Sequence, residues 1–238
     1  IDITWNRVAG GAAIAPLVQA LESSFDFKSP SKSIPQLLRI HQSILALPAS
    51  DWKRIKLADC EKLIKDCLGL FVELRTNKFK ASPGSELLVT LEVINRSNTE
   101  VRLVSMEVTS NDNVFALPST LVYNQGYTKE LTIQTPEQLS IPYWLIKHPE
   151  EGMYRVDEQK KRGTPADPPS IMAAVTIEIN GTSITLQAPV IYKTVDPAKG
   201  EVTRPLSIIP PVTVESADEV LMFNQGHERI IQLKLAAA

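Results

Sequence analysis

Apolar residues recur at helical spacing through residues 11–74, and after about Thr76 the pattern switches to strict alternation broken by Asn, Gly and Pro turns. A period of 3.6 buries one stripe of a helix, whereas a period of 2 buries one face of a strand. The two patterns cannot share one kind of element. The chain is therefore predicted to be an α+β protein, with about three N-terminal helices packed on an antiparallel, immunoglobulin-like β-sandwich.

The first helix is predicted over 11–25, with Ile14, Leu17, Val18 and Leu21 on one face and Pro16 tolerable only in its first turn. Ser33 reads as the N-cap of the second, with Pro35 close to the N1 position that proline favours. Its stripe is Ile34, Leu37, Leu38, His41, Ile44 and Leu45, and Leu47-Pro48 ends it. Ser50 caps the third, Asp51 suits the positive end of its dipole, and Trp52, Ile55, Cys60, Leu63, Ile64, Cys67 and Phe71 form its stripe.

In the β region, Leu87, Val89, Leu91 and Val93 alternate as a half-buried strand does, and Asn95-Arg96-Ser97-Asn98 turns the chain into a strand carrying Val101, Leu103, Ser105 and Glu107. Asn124-Gln125-Gly126 is predicted to close a hairpin between 121–123 and 131–133. Asn180-Gly181 closes a second between 173–179 and 184–191, because Asn-Gly supplies both positive-φ positions of a type I′ turn. The expected organisation is a helical segment (1–75), a sandwich (76–205) with a long insertion (135–170), and extra strands or the start of a further β unit (206–238). The run Val220-Leu-Met-Phe-Asn-Gln-Gly echoes Thr120-Leu-Val-Tyr-Asn-Gln-Gly, a weak internal repeat or a recurrent turn.

The composition excludes several functions. A formal net charge of −2 gives no electrostatic footprint for nucleic acid, and Lys160-Lys161-Arg162 follows Asp157-Glu158 after a single glutamine, as a solvated loop would. No apolar run approaches the roughly 20 residues of a membrane span. The three histidines, His41, His148 and His227, stand alone in sequence, so no metal set, zinc hydrolase motif or cofactor is expected. Cys60 and Cys67 lie two turns apart on one predicted helix, too far for a disulfide, and read as small buried hydrophobes. Glu150-Glu151 and Asp157-Glu158 are acids in an extended segment rather than a paired catalytic set. Asn95-Arg96-Ser97 and Asn180-Gly181-Thr182 match the glycosylation pattern but sit where turns are expected anyway. Ile1 is not an initiator methionine, which suggests a processed or excised chain, and the terminal Ala236-Ala237-Ala238 is either native or a remnant.

Several stretches carry a family resemblance: Ile3-Thr-Trp-Asn-Arg-Val with Gly10-Gly11, Phe25-Asp-Phe-Lys-Ser-Pro-Ser, Leu47-Pro-Ala-Ser-Asp-Trp-Lys, Ile94-Asn-Arg-Ser, the loop from Trp144-Leu to Gly152-Met-Tyr-Arg-Val-Asp, and Tyr192-Lys-Thr-Val-Asp-Pro-Ala-Lys-Gly-Glu-Val. Together they resemble the region that follows the catalytic domain in long bacterial PIG-L family proteins (LmbE-like, GlcNAc de-N-acetylase-like). None is a catalytic signature, and the family's His-Pro-Asp-Asp metal motif does not occur here. The resemblance implies a zinc-dependent deacetylase domain upstream in the same polypeptide as the partner, and a periplasmic or extracellular location.

The expectation is thus a non-catalytic accessory region of a carbohydrate deacetylase, or alternatively a carbohydrate-binding sandwich in its own right. Its contact residues are sought in the 135–170 insertion, where Tyr143, Trp144, Tyr154 and Arg155 bring aromatic and cationic groups to a segment without strand periodicity. Long loops in compact domains are usually functional or disordered, and three aromatics argue against disorder.

Overall fold

The computed structural model describes residues 4–108, 113–216, 220, 222 and 230–237. His227, Ala238, Ile3 and most of the 220–226 echo lie outside the described residues. Helices α1 (Ile14–Ser24), α2 (Ile34–Leu45) and α3 (Asp51–Leu68) lead into β1 (Phe71–Thr76), β2 (Lys80–Ala81), β3 (Glu86–Ile94), β4 (Val101–Val108), β5 (Asn113–Leu121) and β6 (Gly126–Gln134). After the 140–170 segment come β7 (Met172–Ile179), β8 (Thr182–Asp196), β9 (Gly200–Pro205), β10 (Ser207–Ile208), β11 (Val212–Ser216) and β12 (Leu233–Ala237). The α+β class holds: three N-terminal helices pack on a large, mostly antiparallel sheet. Its strand order is β5-β4-β7-β8-β1-β3-β6, with β9 added on β8.

The chain forms two compact units, one of Ile1–Leu74, Thr90–Leu131 and Ala173–Ala188, the other of Arg75–Val89, Thr132–Met172 and Pro189–Ala238. In the first unit, Ser50 caps α3 as expected, its hydroxyl accepting from the Lys53 amide at 3.1 Å. Gly69 ends that helix at φ 58°, with the Leu70 amide returning to the Lys65 carbonyl. Ser33 is not a cap. A short 3₁₀ turn, Pro30–Ser33, runs straight into α2, so Ser33 is itself helical and its side chain makes no cap bond.

The α3 stripe is narrower, and the α2 stripe differently composed, than the sequence suggests. Ile14, Ile34, Leu37, Leu38, His41, Ile44, Cys60 and Ile64 are buried, but Leu45, Ile55 and Leu63 are exposed, Trp52 and Cys67 are half-buried, and Phe71 opens β1. Leu68 is buried at the end of α3, and Ile40 is buried because α2 lies against both α1 and α3 and so buries more than one stripe.

In the strands, Leu87, Val89, Leu91 and Val93 all face inward, and Asn180 (φ 48°) and Gly181 (φ 75°) close the β7–β8 hairpin in the expected I′ form. Two expectations fail. In β4, a bulge between Leu103 and Ser105 shifts the phase, so Met106 and Val108 point inward rather than Ser105 and Glu107. And β5 and β6 stand at opposite ends of the strand order, so Asn124-Gln125-Gly126 closes no hairpin. It reverses the chain between distant strands, with Asn124 at φ 52° and its amide bound to the Asn95 carbonyl at 2.7 Å. Pro118 falls in β5, an end strand of the order, where a missing donor costs least.

The second unit has its own core of Leu87, Val89, Ile133, Ile171, Val190, Leu206 and Ile208. Within it β8 and β9 pair antiparallel across a tight turn, in which the Asp196 carboxylate accepts from the amides of Ala198 and Lys199. The short strands β2 and β10 pair in parallel, and β11 and β12 form a separate antiparallel ribbon.

Candidate functional site

The 140–170 segment belongs to the second unit and begins from a fixed point. Thr135 is buried, and its hydroxyl donates to the Ser82 carbonyl at 2.6 Å while accepting from the Ser85 amide at 2.9 Å. This ties the end of β6 to the Ser82–Ser85 turn. Five residues later Ser140 binds β10 twice, its amide donating to the Ile208 carbonyl (2.9 Å) and its hydroxyl accepting from the Ile208 amide (2.8 Å). At the far end, Ser170 donates its hydroxyl proton to the Leu206 carbonyl at 3.1 Å. The Ser140–Ser170 hydroxyl contact of 2.6 Å then requires Ser140 to be the donor, since a hydroxyl has one proton. Two serines thus close the base of the segment on the same backbone.

Above this base, Pro142 leads into a 3₁₀ turn, Tyr143–Leu145. The Tyr143 amide donates to the Asp167 carboxylate at 2.7 Å and its hydroxyl to the Thr164 carbonyl at 2.9 Å. Its ring meets Trp144 edge-on, with centroids 4.9 Å apart at 87°, a favoured aromatic geometry. Trp144 lines a depression of about 500 Å3 rich in proline, with Pro142, Pro168 and Pro169 on its walls. Tyr143 and Arg155 line a smaller one of about 140 Å3 beside Ile146 and Asp157.

Tyr154 lines neither depression and is 60% exposed. It follows a tight turn in which Glu150 and Met153 exchange backbone hydrogen bonds at 3.1 Å around Gly152, at φ 78°. Around that turn is a charge network: Arg155 pairs with Glu150 at 3.1 Å and Asp157 at 3.8 Å, and Lys147 pairs with Asp157. The hydrogen bond from Lys147, and then its charge, hold the Asp157 carboxyl below the usual carboxylate range. The four residues singled out in the sequence are therefore divided. Tyr143 and Trp144 meet as a pair, Arg155 is engaged by acids, and Tyr154 projects alone beside Met153, which is 71% exposed.

Elsewhere, His41 is buried with its Nε2 3.3 Å from Glu61, which fits a packed histidine. Burial, then the charge of Glu61, pushes the Cys60 thiol up to about 12, and burial also raises Cys67; both are free thiols. Asn95 is buried and spends its side chain on Ser97 and Thr99 in its own turn, while Asn180 is exposed. No three His, Cys, Asp or Glu side chains converge among the described residues, and no helix there is long and apolar enough to cross a membrane.

Sequence reasoning missed a second aromatic pair. Phe79 and Tyr192 meet at 5.6 Å and 60°. The available signal was the Asp196-Pro197-Ala198-Lys199-Gly200 turn, which folds β9 onto β8 and brings Arg204 opposite Tyr192.

No family model matches the chain, and no curated protein matches it. Among solved structures, the sporulation control protein Spo0M of Bacillus subtilis is similar over 51% of this chain and 49% of its own, at 12% identity and a TM-score of 0.23. The alkylpurine DNA glycosylase AlkC of Pseudomonas fluorescens, bound to DNA containing an abasic site analog, is similar over 71% of this chain and 49% of its own, at 9% identity and a TM-score of 0.21. The chain spans about half the length of both. Likeness at this level assigns neither fold nor function.

Proposed function

We propose that this chain is a non-catalytic accessory region of a larger protein resembling the PIG-L, GlcNAc-type deacetylases, and that the 140–170 segment docks on the catalytic domain of that protein. The observation that supports it is the exposure of Leu145, Ile146, Met153 and Tyr154, all half or more open to solvent on a segment whose base is hydrogen-bonded shut. Bulky apolar anchors ringed by charges resemble the centre and rim of a protein interface. Methionine beside tyrosine favours a protein surface over a sugar, because a flexible thioether adapts to side chains but offers no flat face for a pyranose. The finer reading of the strand region as an immunoglobulin-like sandwich belongs to this proposal, supported by the alternation in β3 and the β7–β8 hairpin.

The test is titration of this chain with the separately expressed catalytic domain. A complex that is lost in Met153→Ser and Tyr154→Ala, with the melting temperature unchanged, supports docking. Absence of any complex, or variants that lose stability but keep binding, overturns it.

A further inference from the structure

We propose a carbohydrate-binding groove in the second unit, formed by residues 77–82 and 85–87 with Tyr192, that takes an acidic oligosaccharide of the uronic-acid type. It shares no residue with the docking surface and does not rest on that reading. The groove encloses about 540 Å3. Its wall is the Phe79 ring, 40% exposed, with Tyr192 edge-on against it. Two cations lie over the same ring, Lys80 of the groove wall with its Nζ 5.3 Å and Arg204, next to the groove, with its Cζ 5.9 Å from the centroid.

Backbone ladders set this arrangement on both sides. Arg204 lies directly opposite Tyr192 in the β8–β9 register, and Lys80 opposite Ser207 in the β2–β10 register. The Phe79 carbonyl accepts from the Ser207 amide, and the Ala81 carbonyl from the Ile209 amide, each at 2.9 Å. The ring and the cations are thus presented by paired strands, which keeps the cost of ordering them on binding low.

The chemistry selects the ligand class. Among the described residues Lys78, Lys80 and Arg204 form no ion pair, whereas neighbouring Lys193 is held by Glu201 at 3.1 Å. The open part of the Phe79 ring suits the apolar C–H face of a pyranose, and the Lys and Arg that share that ring without an ion pair suit a carboxylate. A neutral sugar leaves the cations unused. A nucleic acid strand wants a long basic track, and this chain carries a net charge of −2 with Glu86 in the groove wall itself. A uronate chain, with one spaced carboxylate per ring, tolerates that acid and offers hydroxyls for it to accept from.

Calorimetry of the whole chain with oligogalacturonate tests the proposal, with neutral dextran and a single-stranded oligonucleotide as parallel arms. Oligogalacturonate should bind, dextran should not, and affinity should fall as salt rises. Phe79→Ala and Arg204→Gln should each weaken binding about tenfold, the scale of one lost charge-assisted or stacking contact. The exposed Lys80→Gln serves as a further variant should either of these fail to fold. Equal binding of dextran, preferred binding of the oligonucleotide, no binding of oligogalacturonate, or folded variants that bind like the parent would each overturn it.

Discussion

Replacing Thr135 by valine keeps the shape of the side chain and removes one hydroxyl, which isolates the lock before the 140–170 segment. In the protein that hydroxyl donates to the Ser82 carbonyl (2.6 Å) and accepts from the Ser85 amide (2.9 Å). The two losses are unequal. The Ser82 carbonyl keeps a second donor, the Ser85 hydroxyl at 2.7 Å, and the Thr135 amide still reaches the Ser85 carbonyl at 2.9 Å. The Ser85 amide, by contrast, loses the acceptor it has. One net hydrogen bond is worth about 1 kcal/mol and an orphaned, partly buried donor costs about as much again, so Thr135→Val should destabilise by about 2 kcal/mol. Thr135→Ser keeps both bonds and loses one buried methyl, about 0.8 kcal/mol. Equilibrium urea unfolding of the two variants measures both numbers, provided the slope with denaturant is unchanged. If serine proves the more damaging substitution, packing rather than hydrogen bonding fixes this point and the argument for the lock fails.

Two further outcomes follow from the geometry. Trp52 is half-buried, its ring 6.2 Å from Trp5 and flanked by Arg7 and Lys56; Trp52→Ala should therefore cost about 2 kcal/mol in urea unfolding, below the 3–5 kcal/mol of a fully buried tryptophan, and a loss above about 4 would show a deeper core than this. Asp157 has a depressed carboxyl, so whatever its pairs with Lys147 and Arg155 contribute is present at neutral pH and is lost as pH falls below the usual carboxylate range. Proteolysis within 145–158 should then quicken in acid and in high salt, and rates indifferent to both would show that these exposed pairs order nothing.

What the sequence made legible was whatever is decided locally. The alternation of β3 survives because each inward residue needs only its own pleat, and Asn180-Gly181 dictates its turn by backbone freedom alone. Pairing partners are a different matter. Asn124-Gln125-Gly126 signals a reversal, but nothing in it says that β5 will lie beside β4 and β6 beside β3. The β4 bulge is likewise invisible, since it reconciles the registers of two neighbours rather than a preference of Val104 or Ser105. Ile40 looks like a surface residue until α1 and α3 both turn out to flank α2. In the 140–170 segment, loss of periodicity foretold irregular structure, while the contacts of its aromatics depended on Thr164 and Asp167, more than twenty residues from Tyr143 in sequence.

That dependence explains why the segment divides as it does. An aromatic with a polar handle costs little to bury when the handle finds a partner, and the Tyr143 phenol has found the Thr164 carbonyl within its own segment, while its backbone amide is held by Asp167. It therefore acts as an internal strut, and Trp144 packs edge-on against it. Tyr154 makes no hydrogen bond among the described residues and keeps most of its ring in water. Placed two residues beyond the Gly152 turn and next to Met153, it is carried on a frame already closed by Ser140 and Ser170. A partner that covers it gains the burial of a large ring without having to order the chain that bears it. Tyr143 and Tyr154 thus differ in whether the local backbone offers the phenol an acceptor.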